Sequence, residues 1–168
     1  MAGDLLERVV DYFGQHSVPL PDAQYVAPGN SATIAFDDGP DGSLREAIAI
    51  TVDFVAPGQP GADRTGQPQA VYAAIWYAQL SVLIVRRAAV MDDAGIAPKP
   101  SVIQDDAATN SRDLSTLTRA LEHIRAGCLS PGGWAPAGSP VAVMRAQTVG
   151  PMGAAMAVVG SIQAVTDL

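Results

Sequence analysis

Ala47-Ile48-Ala49-Ile50-Thr51-Val52-Asp53-Phe54 is the stretch that decides the fold. Ile48, Ile50, Val52 and Phe54 alternate with Ala47, Ala49, Thr51 and Asp53, the period of two that a strand adopts when one face lies in a core. The strand stops at Ala56-Pro57-Gly58-Gln59-Pro60-Gly61, and a Pro/Gly-rich stretch runs on to about Pro68, too long for a tight turn. On its N-terminal side, Asp37-Asp38-Gly39-Pro40-Asp41-Gly42 holds turn-forming residues, preceded by a short β-compatible segment from Ser31 to Phe36. The acidic turn imitates part of a calcium loop. Counted from Asp37, however, its twelfth position is Ile48, where a bidentate Glu is required.

A second strand follows the long loop. Trp76, Ala78, Leu80, Val82 and Ile84 share one face, and Tyr77, Gln79, Ser81, Leu83, Val85 and Arg87 the other. The preceding residues, Gln69 to Ile75, are alanine-rich and compatible with helix. From Asp105 to Ala126 the period becomes helical, with Leu114, Leu117, Leu121, Ile124 and Cys128 on one stripe and Arg112, Asp113, Arg119, Glu122 and Arg125 elsewhere. Asp105 and Asp106 suit the positive end of that helix and Arg125 the negative end, with Gly127 as a stop.

An earlier helix is predicted from Asp4 to Gln15, where Leu5, Leu6, Val9, Val10 and Phe13 recur and Asp4 with Glu7 matches a capping box. The chain closes on a predicted hairpin: Val141 to Val149, a turn at Gly150-Pro151-Met152-Gly153, then Ala154 to Val165. The order is α-β-β-β-α-β-β. It predicts one α+β domain over residues 1–168, with a mostly antiparallel sheet of four or five strands and two main helices packed on one face.

The 168 residues are enough for one core, since a domain of about 150 residues buries roughly 70% of its unfolded surface. The hydrophobic fraction is 48%, but 29 of those residues are alanine and nine aromatic, so apolar bulk is modest and association is a natural source of stability. The net charge of −7 argues against a nucleic-acid binder, which needs clustered Lys and Arg. Lys99 is the only lysine and Arg86-Arg87 the longest basic run. Cys128 stands alone, which excludes an internal disulfide. No apolar run has the length or freedom from charge of a membrane span, and Asp4 and Glu7 stand where an N-terminal export signal would be basic.

Catalytic patterns are missing. There is no Gly-x-Ser-x-Gly elbow, no phosphate-cradling Gly-x-x-x-x-Gly-Lys and no His-Glu-x-x-His. His16 and His123 have no Cys or carboxylate at ligand spacing, so no metal or cofactor is expected. The pairs Asp37-Asp38, Asp92-Asp93 and Asp105-Asp106 lie beside predicted loops or helix starts and read as turn, cap or solubility residues. Arg86-Arg87 at a strand end reads either as a solvated edge charge or as a contact to a carboxylate of another copy.

The closing run Ala146-Gln147-Thr148-Val149-Gly150-Pro151-Met152-Gly153 resembles the end of tail terminator proteins of long-tailed (siphovirus-type) actinobacterial phages. The resemblance extends in order to Leu5-Leu6-Glu7 with Val9-Val10-Asp11-Tyr12, to Val55-Ala56-Pro57-Gly58 with Pro60-Gly61, and to Leu83-Ile84-Val85-Arg86. It departs after Phe36, where such proteins often carry Trp and Cys, and over Gln69 to Ala74. The resemblance implies a non-enzymatic virion subunit, made in the host cytoplasm, that forms a homo-oligomeric ring, usually a hexamer. Such a ring caps the tail tube and meets the neck or head-completion protein, and DNA passes through it without specific binding. For such a ring, the loop from Pro57 to Pro68 with Arg64, the strand end at Arg86 and Arg87, and the region of Trp134 are the expected subunit contacts. The competing class is a small enzyme or ligand-binding domain built from dispersed aspartates, Arg86, Arg87 and Tyr77.

Overall fold

A sheet with both helices on one side organises the chain. The computed structural model describes residues 1–27, 46–57, 76–91, 94–128, 133–135, 138–152 and 154–166. The elements run α1 (Ala2–Gln15), β1 (Ala23–Ala27), β2 (Ala47–Pro57), β3 (Trp76–Arg87), α2 (Pro100–Gly127), β4 (Val141–Val143), β5 (Gln147–Met152) and β6 (Ala155–Thr166). The strands order as β1-β2-β3-β6-β4, with β5 also paired to β6. Among the described residues only β1 and β2 run parallel; the other pairs are antiparallel.

The α+β class and the placement of the helices are as expected. Leu5, Val9 and Phe13 of α1 and Leu117, Leu121 and Ile124 of α2 pack over Ile48, Ile50, Leu80, Val82, Ile84, Val158 and Ile162. Leu83, Val85, Ala155 and Ala157 form a smaller cluster on the opposite face, with Val149 and Val159 against it. Six strands are seen among the described residues, more than predicted. The added ones are β1, a five-residue edge strand just after Pro21, and a closing edge split in two. The segment Ser31 to Phe36, the turn from Asp37 to Gly42, the loop containing Arg64 and Gln69 to Ile75 lie outside the described residues.

The decisive strand carries one surprise. Its register with β3 shifts between Val52 and Phe54, leaving Asp53 as an extra residue. A bulge of this kind reverses the alternation beyond it. Phe54 therefore joins Gln79 on the face away from the helices and meets the Tyr77 ring edge-on at 5.7 Å. It does not continue the Ile48, Ile50, Val52 row.

Both helices start earlier than predicted. Met1 is the N-cap of α1, and Asp4 forms no cap; its carboxylate accepts from Arg8 Nε at 3.2 Å, one turn on. α2 starts at Pro100, whose fixed φ and missing N–H suit the first helical position. Asp105 and Asp106 therefore fall beyond the first turn, which holds no acid.

The closing segment also differs. Gly150, Pro151 and Met152 belong to β5, and β6 begins at Ala155. The register shifts between Val149 and Met152, so Gly150-Pro151 forms a bulge on an edge strand, where a proline without an N–H is tolerated. β4 and β5 follow the same edge of β6, interrupted at residues 144–146. Opposite that break, Gly160 lets α2 approach closely. A Cβ there would lie 2.9 Å from Leu121 Cδ1, 3.1 Å from Leu117 Cδ2 and 3.3 Å from Ala146 Cβ.

Candidate functional site

Arg86 makes four side-chain hydrogen bonds. It falls on the even-numbered face of β3, in line with Val82 and Ile84, and so points toward α2 rather than to solvent. Asp113 meets it one helical turn before Leu117, on the buried stripe, with its side chain only 1% exposed. Arg86 Nε donates to Asp113 Oδ2 at 2.8 Å, and Nη2 to Asp113 Oδ1 at 3.3 Å. Nη1 donates to Glu46 Oε2 at 2.9 Å and Nη2 to the Pro19 carbonyl at 2.6 Å.

One planar guanidinium thus ties the exit of α1, the start of β2, the end of β3 and the middle of α2. Burial alone would pull the Arg86 pKa down, but hydrogen bonds and charge from Asp113 and Glu46 outweigh it, leaving it raised. The group is therefore charged at every pH at which the protein folds. With its N–H groups turned to three partners in the same chain, it is a clamp and not a ligand-binding cation.

That changes the expected surface contacts. Arg86 is 5% exposed and committed within the chain, so it is no strand-end handle for another copy. Trp134, whose region was an expected subunit contact, is 6% exposed, and its Nε1 donates to the Met1 carbonyl at 3.0 Å. The shape of the chain requires a glycine just before it. A Cβ at Gly133 would sit 2.7 Å from Cys128 Cα and from the Gly127 carbonyl oxygen. Arg87 is exposed, and its backbone N–H reaches Glu46 Oε1 at 3.3 Å. Arg64 lies outside the described residues.

A second polar network crosses the opposite face. The Asp53 carboxylate, on the same face as Thr51, accepts from Thr51 Oγ1 at 3.0 Å, Gln79 Nε2 at 2.8 Å and Ser81 Oγ at 2.7 Å. Ser81 and Ser161 hydroxyls lie 2.7 Å apart, and Gln163 Nε2 donates to Gln79 Oε1 at 2.7 Å. The network spans β2, β3 and β6. Replacing Asp53 with Ala removes the acceptor shared by three donors and is expected to cost about 1–3 kcal/mol in denaturant unfolding. Asp53→Asn, which keeps one acceptor, is expected to cost less.

The two histidines meet around one tyrosine. The Tyr12 ring stacks on His16 with centroids 4.1 Å apart and tilts against His123 at 5.4 Å. His16 Nδ1 lies 2.8 Å from the Tyr12 carbonyl. A groove of about 170 Å³ between α1 and α2 is lined by Arg8, Asp11, Tyr12, Gln15 and His123, with Ile124 and Gly127. Its ionisable groups do not include the Arg86 cluster, and Tyr77 is buried on the far side of the sheet. Of the dispersed residues considered for an enzyme or ligand site, Arg86 and Tyr77 thus lie on opposite faces of the sheet. Among the described residues no group of three or more His, Cys, Asp or Glu is arranged to hold a metal, and no helix is long and apolar enough to cross a membrane.

No protein-family model matches the chain, and no curated protein matches it.

Proposed function

We propose that this chain is a structural virion subunit of the tail terminator kind. Copies close into a ring, hexameric in the usual case, that caps the tail tube and joins it to the neck while DNA passes through. The observation that carries the reading is the run Ala146 to Gly153 and its ordered companions near Leu5, Val55 and Leu83. The fold is compatible with it: one sheet backed by two helices on a single face, with its most elaborate polar cluster spent on holding elements together. Net acidity suits a wall that must not grip passing phosphate.

The test has two parts. Light scattering on the eluted protein is expected to give a closed oligomer larger than a dimer, and electron microscopy of tail tubes mixed with it is expected to show a ring at one tube end. A strict monomer that leaves tube ends bare overturns the proposal. Oligomers that bind a neck protein and ignore the tube assign the chain to a neighbouring connector instead.

A further inference from the structure

The first half of α2 stands outside the core. The buried residues of this helix, Asp113, Thr116, Leu117, Ala120, Leu121 and Ile124, begin only after thirteen residues. Of residues 100–112 none is buried and ten are exposed, Val102 and Ile103 among them at 41% and 51%. Thirteen residues of helix are about 20 Å long. A free helix of that length is marginal in water, and most helices in proteins hold because one face is buried.

The sequence of this half supplies little support of its own. Ser101, Val102, Ile103, Asp105, Asp106, Thr109, Asn110 and Ser111, eight of the thirteen, are β-branched or short polar types of lower helix propensity. Pro100 suits the first position, but Lys99 caps without a side-chain bond and puts a cation where the helix end is already positive. No acid stands in the first turn. Asp105 and Asp106 have Thr109 and Asn110 four residues on, so neither finds a cation there.

A tether to β3 remains. Just past the strand, the Ala89 N–H donates to Asp106 Oδ2 at 2.8 Å. Among the described residues this is the side-chain bond that joins residues 100–112 to another element. Asp106 lies seven residues before Asp113, which Arg86 grips, and Ala89 lies three after Arg86. Seven helical residues and three extended ones each rise about 10 Å, so strand exit and helix run side by side from one contact to the other. Before Asp106, residues 100–105 are all exposed.

We propose that α2 is two units in one helix: a core half from Asp113 to Gly127, and an arm, residues 100–112, that unwinds while the core stays folded and is held helical by the Asp106 latch. The boundary falls at Asp113 because Arg86 fixes that residue, and no buried side chain couples the arm to the rest. Opening the latch frees the arm to change shape without disturbing the sheet. The arm behaves in this way whether or not copies of the chain close into a ring.

Hydrogen exchange of the full chain, followed by mass spectrometry, tests the proposal. Amides of residues 104–112 are expected to be about 100-fold or more less protected than those of residues 117–124, which open only with the core. Two variants isolate the latch. Asp105→Ala and Asp106→Ala each introduce a better helix former, so propensity alone slows exchange of the arm in both. Loss of the tether acts only in Asp106→Ala, where the arm is expected to exchange about fivefold or more faster than in Asp105→Ala. The urea midpoint of that variant, read from the buried Trp134, is expected to stay at the wild-type value. Asp106→Asn keeps an acceptor for the Ala89 N–H and is expected to recover part of the protection. Arm amides as protected as those of residues 117–124 overturn the proposal. An Asp106→Ala variant whose urea midpoint falls also overturns it, since the arm then unfolds with the core. Equal exchange in the two alanine variants overturns Asp106 as the latch.

Discussion

Replacing Arg86 with Ala is expected to destabilise the folded chain by about 3–5 kcal/mol, a large share of the roughly 5–15 kcal/mol that holds a domain together. The loss comes less from the bonds removed than from what stays behind. Asp113, 1% exposed, is left in the core with its main partner gone, and the Pro19 carbonyl loses a donor at 2.6 Å. Glu46 is 29% exposed and turns to water. Arg86→Lys is expected to recover little, since an ammonium cannot bridge both Asp113 oxygens while reaching Glu46 and Pro19. Arg86→Met with Asp113→Leu is expected to recover most of the loss, because no charge is left buried. Arg87→Ala, at an exposed site, is expected to stay within about 0.5 kcal/mol. Urea titrations of these variants decide the matter. Equal effects at positions 86 and 87 would mean that the clamp is not formed.

This clamp was legible in the sequence only by carrying a pattern further than its apolar members. Trp76, Ala78, Leu80, Val82 and Ile84 predict an inward face, and the next inward position is Arg86. Asp113 likewise sits four residues before Leu117, on the apolar stripe. Charge alone argues for placing both outward, because an isolated buried charge is costly. Each is tolerated because the other is there, and that pairing joins residues 27 apart in the chain. Local patterns did locate β2, β3, both helices and their common side of the sheet. They missed the bulge at Asp53, since a single extra residue leaves the run Ile48 to Phe54 looking periodic. The signal was the acid itself, which interrupts a run of apolar and β-branched residues. β1 was hidden between Pro21 and Pro28, which punctuate like a loop. The exposed patch of Val102 and Ile103 was hidden because the helix was begun at Asp105, a cap-like residue, instead of at Pro100.

Gly160→Val is expected to cost about 3 kcal/mol, and the sign follows from setting opposing effects side by side. Valine favours a strand over glycine by up to about 1 kcal/mol and restricts the unfolded chain by about 0.4–1 kcal/mol, both stabilising. Against them stands overpacking, which costs about 1–3 kcal/mol for added methylenes and more when several walls are touched. Here the Cβ alone meets Leu121 at 2.9 Å, Leu117 at 3.1 Å and Ala146 at 3.3 Å, and both leucines are 0% exposed with nowhere to swing. The branched methyls go further into the same space, so the helix must lift from β6. Leu121→Ala alone is expected to cost about 2–5 kcal/mol through a cavity at that spot. Combined with Gly160→Val the cavity is partly refilled, so the double variant is expected to lose at least about 1 kcal/mol less than the sum. Strict additivity would mean that helix and strand do not touch there. Gly150 is the contrast: a Cβ added to it meets nothing within 4 Å. Gly150→Ala is accordingly expected to change stability by no more than about 0.5 kcal/mol. Of these two glycines near the C-terminus, then, the one inside the run on which the proposed function rests is expected to be dispensable to the fold. The one that sets the distance between α2 and the sheet lies in a strand made mostly of small and β-branched residues, with no turn motif to mark it.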